Sequence, residues 1–372
     1  MSLPPILKHD DEIAELAATL AKEAVIAVDL EADSMHNYQD KICLLQFSTP
    51  SQTLLVDPLA GAELAPLGEV LGDASIRKLF HAADYDIRCL RRDFGWQVNG
   101  LFDTMISCQF LGEEKYGLAD VLFKYYGLEL DKQFQRADWS QRPLSEGMIR
   151  YAAGDTAYLH SLAEQLEERL LEAGRREWLA EEFELLEQVR FQEHDGPLCL
   201  RVKGAGTLER RQLGILEELL QWREKEAERR DRPPFKVLGN KSLLAMAQQA
   251  PATTQGLVAL EGVSPRLVER YGKPLLKAIA RGLALPEQEL PRFPRGERRR
   301  RDPQVEVCLK RLKAWRSEIS TELALEPGVL INNAQLESLA NAPAGSVDVL
   351  PGLKRWQRRE FGQALLGVLV AE

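Results

Sequence analysis

A chain of 372 residues is too long for one compact core, so two or three domains are expected. Its hydrophobic fraction of 45% is that of a globular protein, and no apolar run approaches the roughly 20 residues that a membrane span requires. The formal net charge of −9 argues against nucleic-acid binding through an overall basic surface, although positive charge is clustered in the chain rather than absent.

Five cysteines, Cys43, Cys89, Cys108, Cys199 and Cys308, are widely spaced and odd in number, a usage that fits reduced thiols in the cytoplasm. Met1-Ser2-Leu3-Pro4-Pro5 lacks the charged and apolar regions of a signal peptide, so no leader is expected. A monomer is the default expectation.

The run Ala24-Val25-Ile26-Ala27-Val28 is apolar and rich in β-branched residues, which predicts a buried strand near 24–29. Asp29-Leu30-Glu31 follows, and side chains alternate across a strand, so Asp29 and Glu31 point to one face. Two carboxylates there are costly unless a cation or solvent compensates them. An isolated Asp-x-Glu is otherwise an ordinary charged strand end.

Strands near 41–48 and 52–56 are joined by short connections and predict an antiparallel meander. The next strand, near 76–81, leads into a helix from Asp84 that turns Ile87 and Leu90 inward. Asp84 suits the N-cap and Asp86 the first turn, where the helix dipole favours a carboxylate. Either aspartate can be purely structural, and His81 either satisfies a neighbour or touches substrate. A further strand near 100–103 alternates with helices, as parallel pairing requires.

From Leu144 to Gly174 the apolar spacing predicts one long helix, with Pro143 and Ser145 as start signals and Gly174 as the stop. Tyr151 and Asp155 are four residues apart and share a face of it. Gly154 costs about 1 kcal/mol relative to alanine inside a helix. It is expected to mark close approach to the sheet or to substrate.

Beyond Gly204 the pattern is wholly helical, and a repeat of about 90 residues indicates duplicated domains rather than a solenoid. Leu219-Leu220-Gln221-Trp222-Arg223 echoes Leu312-Lys313-Ala314-Trp315-Arg316; Val237-Leu238 echoes Val329-Leu330; Tyr271-Gly272 echoes Phe361-Gly362. Trp222 and Trp315 fall at apolar helical positions and are read as core. The expected organisation is a catalytic domain at 1–195, a linker at 196–208, a helical domain at 209–289, a Pro/Arg linker at 290–303 and a second, more degenerate helical domain at 304–372.

Three segments then fall together: Asp29-Leu30-Glu31, Asp86 in its helix, and Tyr151-Ala152-Ala153-Gly154-Asp155. They resemble the motifs of the DEDD superfamily of 3′-5′ exonucleases, in the subgroup whose third motif is Tyr-x-x-x-Asp. The stretch Asp131-Lys132-Gln133-Phe134-Gln135-Arg136-Ala137-Asp138-Trp139-Ser140-Gln141-Arg142-Pro143-Leu144 is similar to the ribonuclease D family within it. Cys43-Leu44-Leu45-Gln46, Val56-Asp57-Pro58 and Phe102-Asp103-Thr104 are similar too. Each helical repeat resembles an HRDC domain, so the likeness covers almost the whole chain.

The resemblance implies an α/β ribonuclease H-like exonuclease domain, a mixed sheet flanked by helices, followed by two all-α HRDC-like domains. It assigns Asp29, Glu31, Asp86 and Asp155 to a site for two divalent ions, Mg²⁺ or Mn²⁺, with Tyr151 beside the attacking water. The residues agree, since an all-oxygen, carboxylate-rich set suits hard cations and no Cys or His spacing suggests zinc. A phenol with a pKa near 10 would act there as a hydrogen-bond donor rather than a base at neutral pH.

The activity implied is trimming of tRNA precursors and other small structured RNAs from a single-stranded 3′ end, with release of nucleoside 5′-monophosphates. Candidate RNA contacts are His81, Lys132, Gln135 and Arg142 in the first domain, and Lys225, Arg229, Arg230, Arg232 and Lys236 in the first helical domain. Arg298, Arg299, Arg300 and Arg301, in the Pro/Arg segment, are read either as a solvated linker or as phosphate contacts. The alternatives are a DNA 3′-5′ exonuclease of proofreading type and a non-catalytic RNA-binding scaffold.

Overall fold

The chain lays down β1 (Ile6–Leu7), α1 (Asp10–Leu20), β2 (Val25–Ala32), β3 (Ile42–Ser48) and β4 (Thr53–Val56). After α2 (Ala65–Gly72) come β5 (Arg77–Phe80), α3 (Asp84–Phe94), β6 (Leu101–Asp103), α4 (Thr104–Phe110) and α5 (Leu118–Tyr126). Helices α6 (Glu146–Ala157), α7 (Leu159–Glu172) and α8 (Arg176–Glu187) complete this part. The computed structural model describes residues 3–191, 195–293, 303–342 and 350–370. Arg298, Arg299, Arg300 and Arg301 lie outside the described residues.

The strands form one six-stranded sheet in the order β1-β4-β3-β2-β5-β6. β2, β3 and β4 make the expected antiparallel meander, while β5 and β6 join in parallel through helical crossovers. The two-residue strand β1, parallel to β4 at the edge, gives no periodic signal and is absent from the sequence reading. Every residue of β3 is buried, as its near-continuous apolar composition requires of a strand covered on both faces.

The single helix expected from Leu144 to Gly174 is two. It breaks at Tyr158, because α6 crosses β2, β3 and β4 while α7 packs on β2, β5 and α4. An apolar period shared by two consecutive helices cannot report that change of direction.

The helical remainder comprises α9 (Arg210–Arg229), α10 (Pro234–Val237), α11 (Asn240–Gln249), α12 (Thr254–Val258) and α13 (Pro265–Ala284). Then follow α14 (Pro303–Leu323), α15 (Pro327–Leu330), α16 (Asn333–Ala340) and α17 (Arg355–Val370). The chain divides into two compact units, one of residues 1–32, 42–191 and 299–372, the other of residues 33–41 and 192–298.

In the second unit, α9 and α13 approach closely at Gly214 and Gly282. A Cβ on Gly282 would lie 2.4 Å from the Ile215 Cα. Residues 198–207, expected as part of a linker, instead form two 3-10 turns whose Cys199 and Ala205 are fully buried in this unit's core. Tyr38, from the loop between β2 and β3, packs against the same core, and its amide donates to the Asp231 carboxylate at 3.1 Å.

The repeat is visible as a shared brace. Trp222 meets the Tyr271 ring edge-on at 5.3 Å and Trp315 meets Phe361 at 5.8 Å. Arg223 donates to the Leu238 carbonyl at 3.1 Å and Arg316 to the Ile331 carbonyl at 2.7 Å. Leu238 therefore corresponds to Ile331, one residue beyond the Val329-Leu330 echo taken from sequence.

The second repeat does not close on itself. Its Trp356 stacks on Trp178 of α8 with centroids 4.9 Å apart, donates from its indole N–H to Glu182 at 2.7 Å, and joins the core built around the sheet. Lys354 binds Glu182 and Arg359 binds Glu177 on the same helix.

Candidate active site

β2 outlasts its parallel neighbour. The β2–β5 register ends at Ala27–Leu79, whereas β2 continues to Ala32, so Asp29 and Glu31 lie beyond the paired part of β5. On the other side they stay paired, Asp29 opposite Gln46 and Glu31 opposite Leu44, with a bulge after Glu31. Into this space come the first turn of α3, carrying Asp86, and the face of α6, carrying Tyr151 and Asp155.

Both helices are held by buried polar contacts. The turn into α3 places Ala82 at φ 69°, a left-handed conformation that a non-glycine residue adopts at a cost. Asp103, fully buried at the end of β6, accepts hydrogen bonds from the amides of Ala82 (3.2 Å) and Ala83 (2.7 Å) and caps α4 through Met105 (2.8 Å) and Ile106 (3.1 Å). The expected capping by Asp84 does not occur: Ala83 is the N-cap, and Asp84 is the first helical residue, paired with Arg88 at 2.6 Å.

Ser145 caps α6 by accepting from Met148 at 3.3 Å, as its position predicts. Met148 and Ala152 of the helix, with Trp139 and Leu144 from the segment before it, pack in one cluster with Cys43, Leu44 and Leu55 of the sheet. Thr156 shares a 2.7 Å hydroxyl hydrogen bond with Ser48 of β3.

These constraints bring Asp29, Glu31 and Asp155 together, with one carboxylate oxygen of each within 4.8 Å of the others. Asp86 stands outside that triple but close enough that its charge raises the Glu31 pKa. All four acids hold protons more tightly than free carboxyls. Burial, then the Leu30 amide acting in the opposite direction, leaves Asp29 at about 7. Burial and the Asp29 charge leave Asp155 at about 8. Glu31 rises through burial and then Asp29, Asp155 and Asp86; Asp86 rises through burial and then Asp29.

Acids that resist ionisation together are what a cation would relieve. The donor set, all carboxylate oxygen, suits a hard divalent ion. Tyr151 is packed against Phe134 (6.3 Å) and Trp139 (6.0 Å). Burial and the charges of Asp155, Glu31 and Asp29 raise its pKa, so the phenol stays protonated and can only donate or accept a hydrogen bond.

Gly154 does not sit against the sheet: a Cβ there would meet only Leu130 at 3.9 Å. With Tyr151, Asp155, Phe134 and Arg150 it lines a groove of about 260 Å³ beside the acids.

The other candidate residues separate sharply. Arg142 is a brace rather than a free cation. Its guanidinium donates to both Asp57 oxygens at 2.6 Å and to the carbonyls of Cys43, Trp139 and Gln141. His81 shares a 2.9 Å hydrogen bond with Thr104, whose hydroxyl donates to the Phe80 carbonyl, and burial lowers its pKa to about 4, so the ring is neutral at pH 7. Lys132 is exposed and lies 3.9 Å from Asp120; Gln135 is exposed as well.

In the first helical module, Arg229 and Arg230 both pair with Glu226, and Arg230 covers the Tyr271 ring. Lys225, Arg232 and Lys236 are exposed. The bracing role of Asp103 escaped the sequence reading, although an aspartate followed by threonine between strand and helix is a capping signal. Gln46, quoted above only as part of a motif, is buried in β3 directly opposite Asp29.

A family model for a 3′-5′ exonuclease matches residues 4–171, and one for the HRDC domain matches 212–279 and 305–369. Ribonuclease D from Gluconacetobacter diazotrophicus is 32% identical over 369 residues, 98% of this chain and 92% of that protein. The crystal structure of Escherichia coli RNase D, an exoribonuclease involved in structured RNA processing, is similar with a TM-score of 0.74 and 28% identity over 99% of each chain. The catalytic core of RRP6 from Trypanosoma brucei is similar over 76% of this chain and 82% of that one, with 30% identity and a TM-score of 0.65.

Proposed function

The chain belongs to the ribonuclease D family and is a 3′-5′ exoribonuclease, and from that premise we propose that Asp29, Glu31, Asp86 and Asp155 hold two divalent ions, Mg²⁺ or Mn²⁺, for phosphodiester hydrolysis. What carries this reading is the convergence of Asp29, Glu31 and Asp155 within 4.8 Å. Such ions would supply charge neutralisation and a water of lowered pKa.

The protein's own part is placement. β2 presents Asp29 and Glu31 from one face and α6 presents Asp155 towards them, so these three carboxylates would hold the ions and supply them with charge-neutralising oxygen ligands. Asp86, outside the tight triple, would add a fourth carboxylate to the set that holds the ions. Tyr151, kept protonated by burial and then by the charges of Asp155, Glu31 and Asp29, would orient the attacking water by hydrogen bond. Hydrolysis then leaves a 3′-hydroxyl on the shortened RNA and releases a nucleoside 5′-monophosphate.

The substrates proposed are tRNA precursors and other small structured RNAs with single-stranded 3′ ends, trimmed in the cytoplasm by a monomer. Exposed Lys225, Arg232 and Lys236 supply phosphate contacts that add affinity without reading sequence. Substituting Asp155→Asn tests the site: hydrolysis of 3′-labelled RNA across a Mn²⁺ titration should fall by at least ~10³-fold with an unchanged fold. Retained turnover would refute the assignment. The same titration on labelled DNA reads the sugar selectivity, with RNA expected to be degraded faster.

A further inference from the structure

Gln46 is 0% exposed, and both polar atoms of its side chain lack a hydrogen-bond partner among the described residues. Buried amides are normally satisfied, so an orphaned one in a well-packed strand calls for a reason. Its neighbours along β3, Leu44, Leu45 and Phe47, are buried and apolar, and a leucine at position 46 would avoid the desolvation cost altogether.

Its position supplies the reason. Gln46 is directly opposite Asp29 in the antiparallel β2–β3 pair, so the two side chains leave the sheet on the same face, with Cβ atoms typically about 4.5–5.5 Å apart. Two residues further along that face, Ser48 bonds to Thr156, the residue after Asp155. Gln46 is thus enclosed between β3 and α6, beside one carboxylate of the cluster and beneath the turn that carries another.

We infer that Gln46 is a positioning residue for the acid cluster: its amide hydrogens orient the Asp29 or Asp155 carboxylate once these are ionised around bound cations. An ionised carboxylate offers only acceptors, and the amide supplies two hydrogens with no positive charge to compete with a cation. The amide oxygen remains able to accept from a water in the cluster. Lysine or arginine would donate equally well and repel the ions.

This inference rests on the divalent-ion reading of the site. Its test uses Gln46→Met and Gln46→Leu in the full-length protein, with metal-free melting and Mn²⁺ binding by calorimetry as the readouts. Both variants should melt at or above the wild-type temperature without metal, because an unsatisfied amide has been removed. Both should bind Mn²⁺ about 10–100-fold more weakly, the usual effect of removing a hydrogen bond to a metal ligand.

Unchanged Mn²⁺ affinity in either folded variant would overturn the inference while leaving the site intact. A melting temperature lowered in both, or failure of both to fold, would make Gln46 a packing residue and overturn it as well. Absence of Mn²⁺ binding by the wild-type protein would instead bring down the divalent-ion reading, and this inference with it.

Discussion

The two helical modules carry the same internal brace and use it differently. In the first, Trp222 against Tyr271 and Arg223 on the Leu238 carbonyl lie in a core of the module's own. In the second, Trp315 against Phe361 and Arg316 on the Ile331 carbonyl repeat the arrangement, yet the outer face continues through Trp356 and Trp178 into the catalytic core. Duplication preserved how each module folds while their outer surfaces diverged. One copy keeps basic side chains in solvent, and the other has become a wall of the nuclease.

Truncating the aromatic wall should break the comparison most visibly. Trp356→Ala removes a ring that is 2% exposed and should destabilise the catalytic unit by about 3–5 kcal/mol. Leu216→Ala, in the first module's core, should cost about 2–5 kcal/mol in that unit alone and leave hydrolysis of short unstructured RNA unchanged. Differential scanning calorimetry paired with activity after heating distinguishes them. Equal effects of both substitutions on nuclease inactivation would show that the two modules are embedded alike. For the same reason, truncating the chain at Glu209 should damage the nuclease itself, since it strips α14 to α17 from the catalytic core.

pH provides the next contrast. In the catalytic unit the folded pKa values of Asp29 and Asp155 are raised to about 7 and about 8, so the stability tied to their protonated forms is fully present below about pH 4 and is lost as pH rises through these values. In the helical unit Glu226 and Glu261 are lowered, Glu226 by Arg229 first and Glu261 by Lys241 first; their contribution is present above about pH 4.5 and is lost on acidification. Between pH 6 and 8.5 without metal, the catalytic melting temperature should fall by several degrees while the helical one holds steady. Mn²⁺ should restore more of the first at pH 8 than at pH 6, because its ligands must be deprotonated. Parallel drift of both transitions would contradict the assignment of raised values to the acid cluster.

Smallest is the effect of surface charge. Replacing Lys225, Arg232 and Lys236 together by alanine should weaken binding of tRNA-like substrates and flatten the salt dependence by about 0.7 in log–log slope for each phosphate no longer neutralised. Arg229→Ala should do less, because that cation is already engaged by Glu226. A filter-binding series at several salt concentrations reads both, and an unchanged slope in the triple variant removes the first module from the RNA surface.

Much of the architecture was legible because short-range rules govern it. The meander, the parallel crossovers and the Ser145 cap follow from alternation, connection length and capping chemistry. The acid cluster was legible through motif spacing, since Tyr151 and Asp155 share a helix face wherever that helix lies. What stayed hidden depends on interactions made across the fold. Arg142 reads as a surface cation until Asp57, 85 residues away, is found accepting its fork. Asp103 reads as a strand end until it proves to hold the turn before α3. Gln46 reads as one letter of a motif, and only burial without a hydrogen-bond partner among the described residues marks it out.

Tyr38 leaves the catalytic sequence to seat itself in the helical unit, with its backbone fastened to Asp231. The first helical module is therefore not a portable cassette. Transplanted as residues 209–289 alone, it would carry an open socket where that ring belongs and lose the plug that its own sequence does not encode. Grafts that bring residues 33–41 along should behave better than those of residues 209–289 alone.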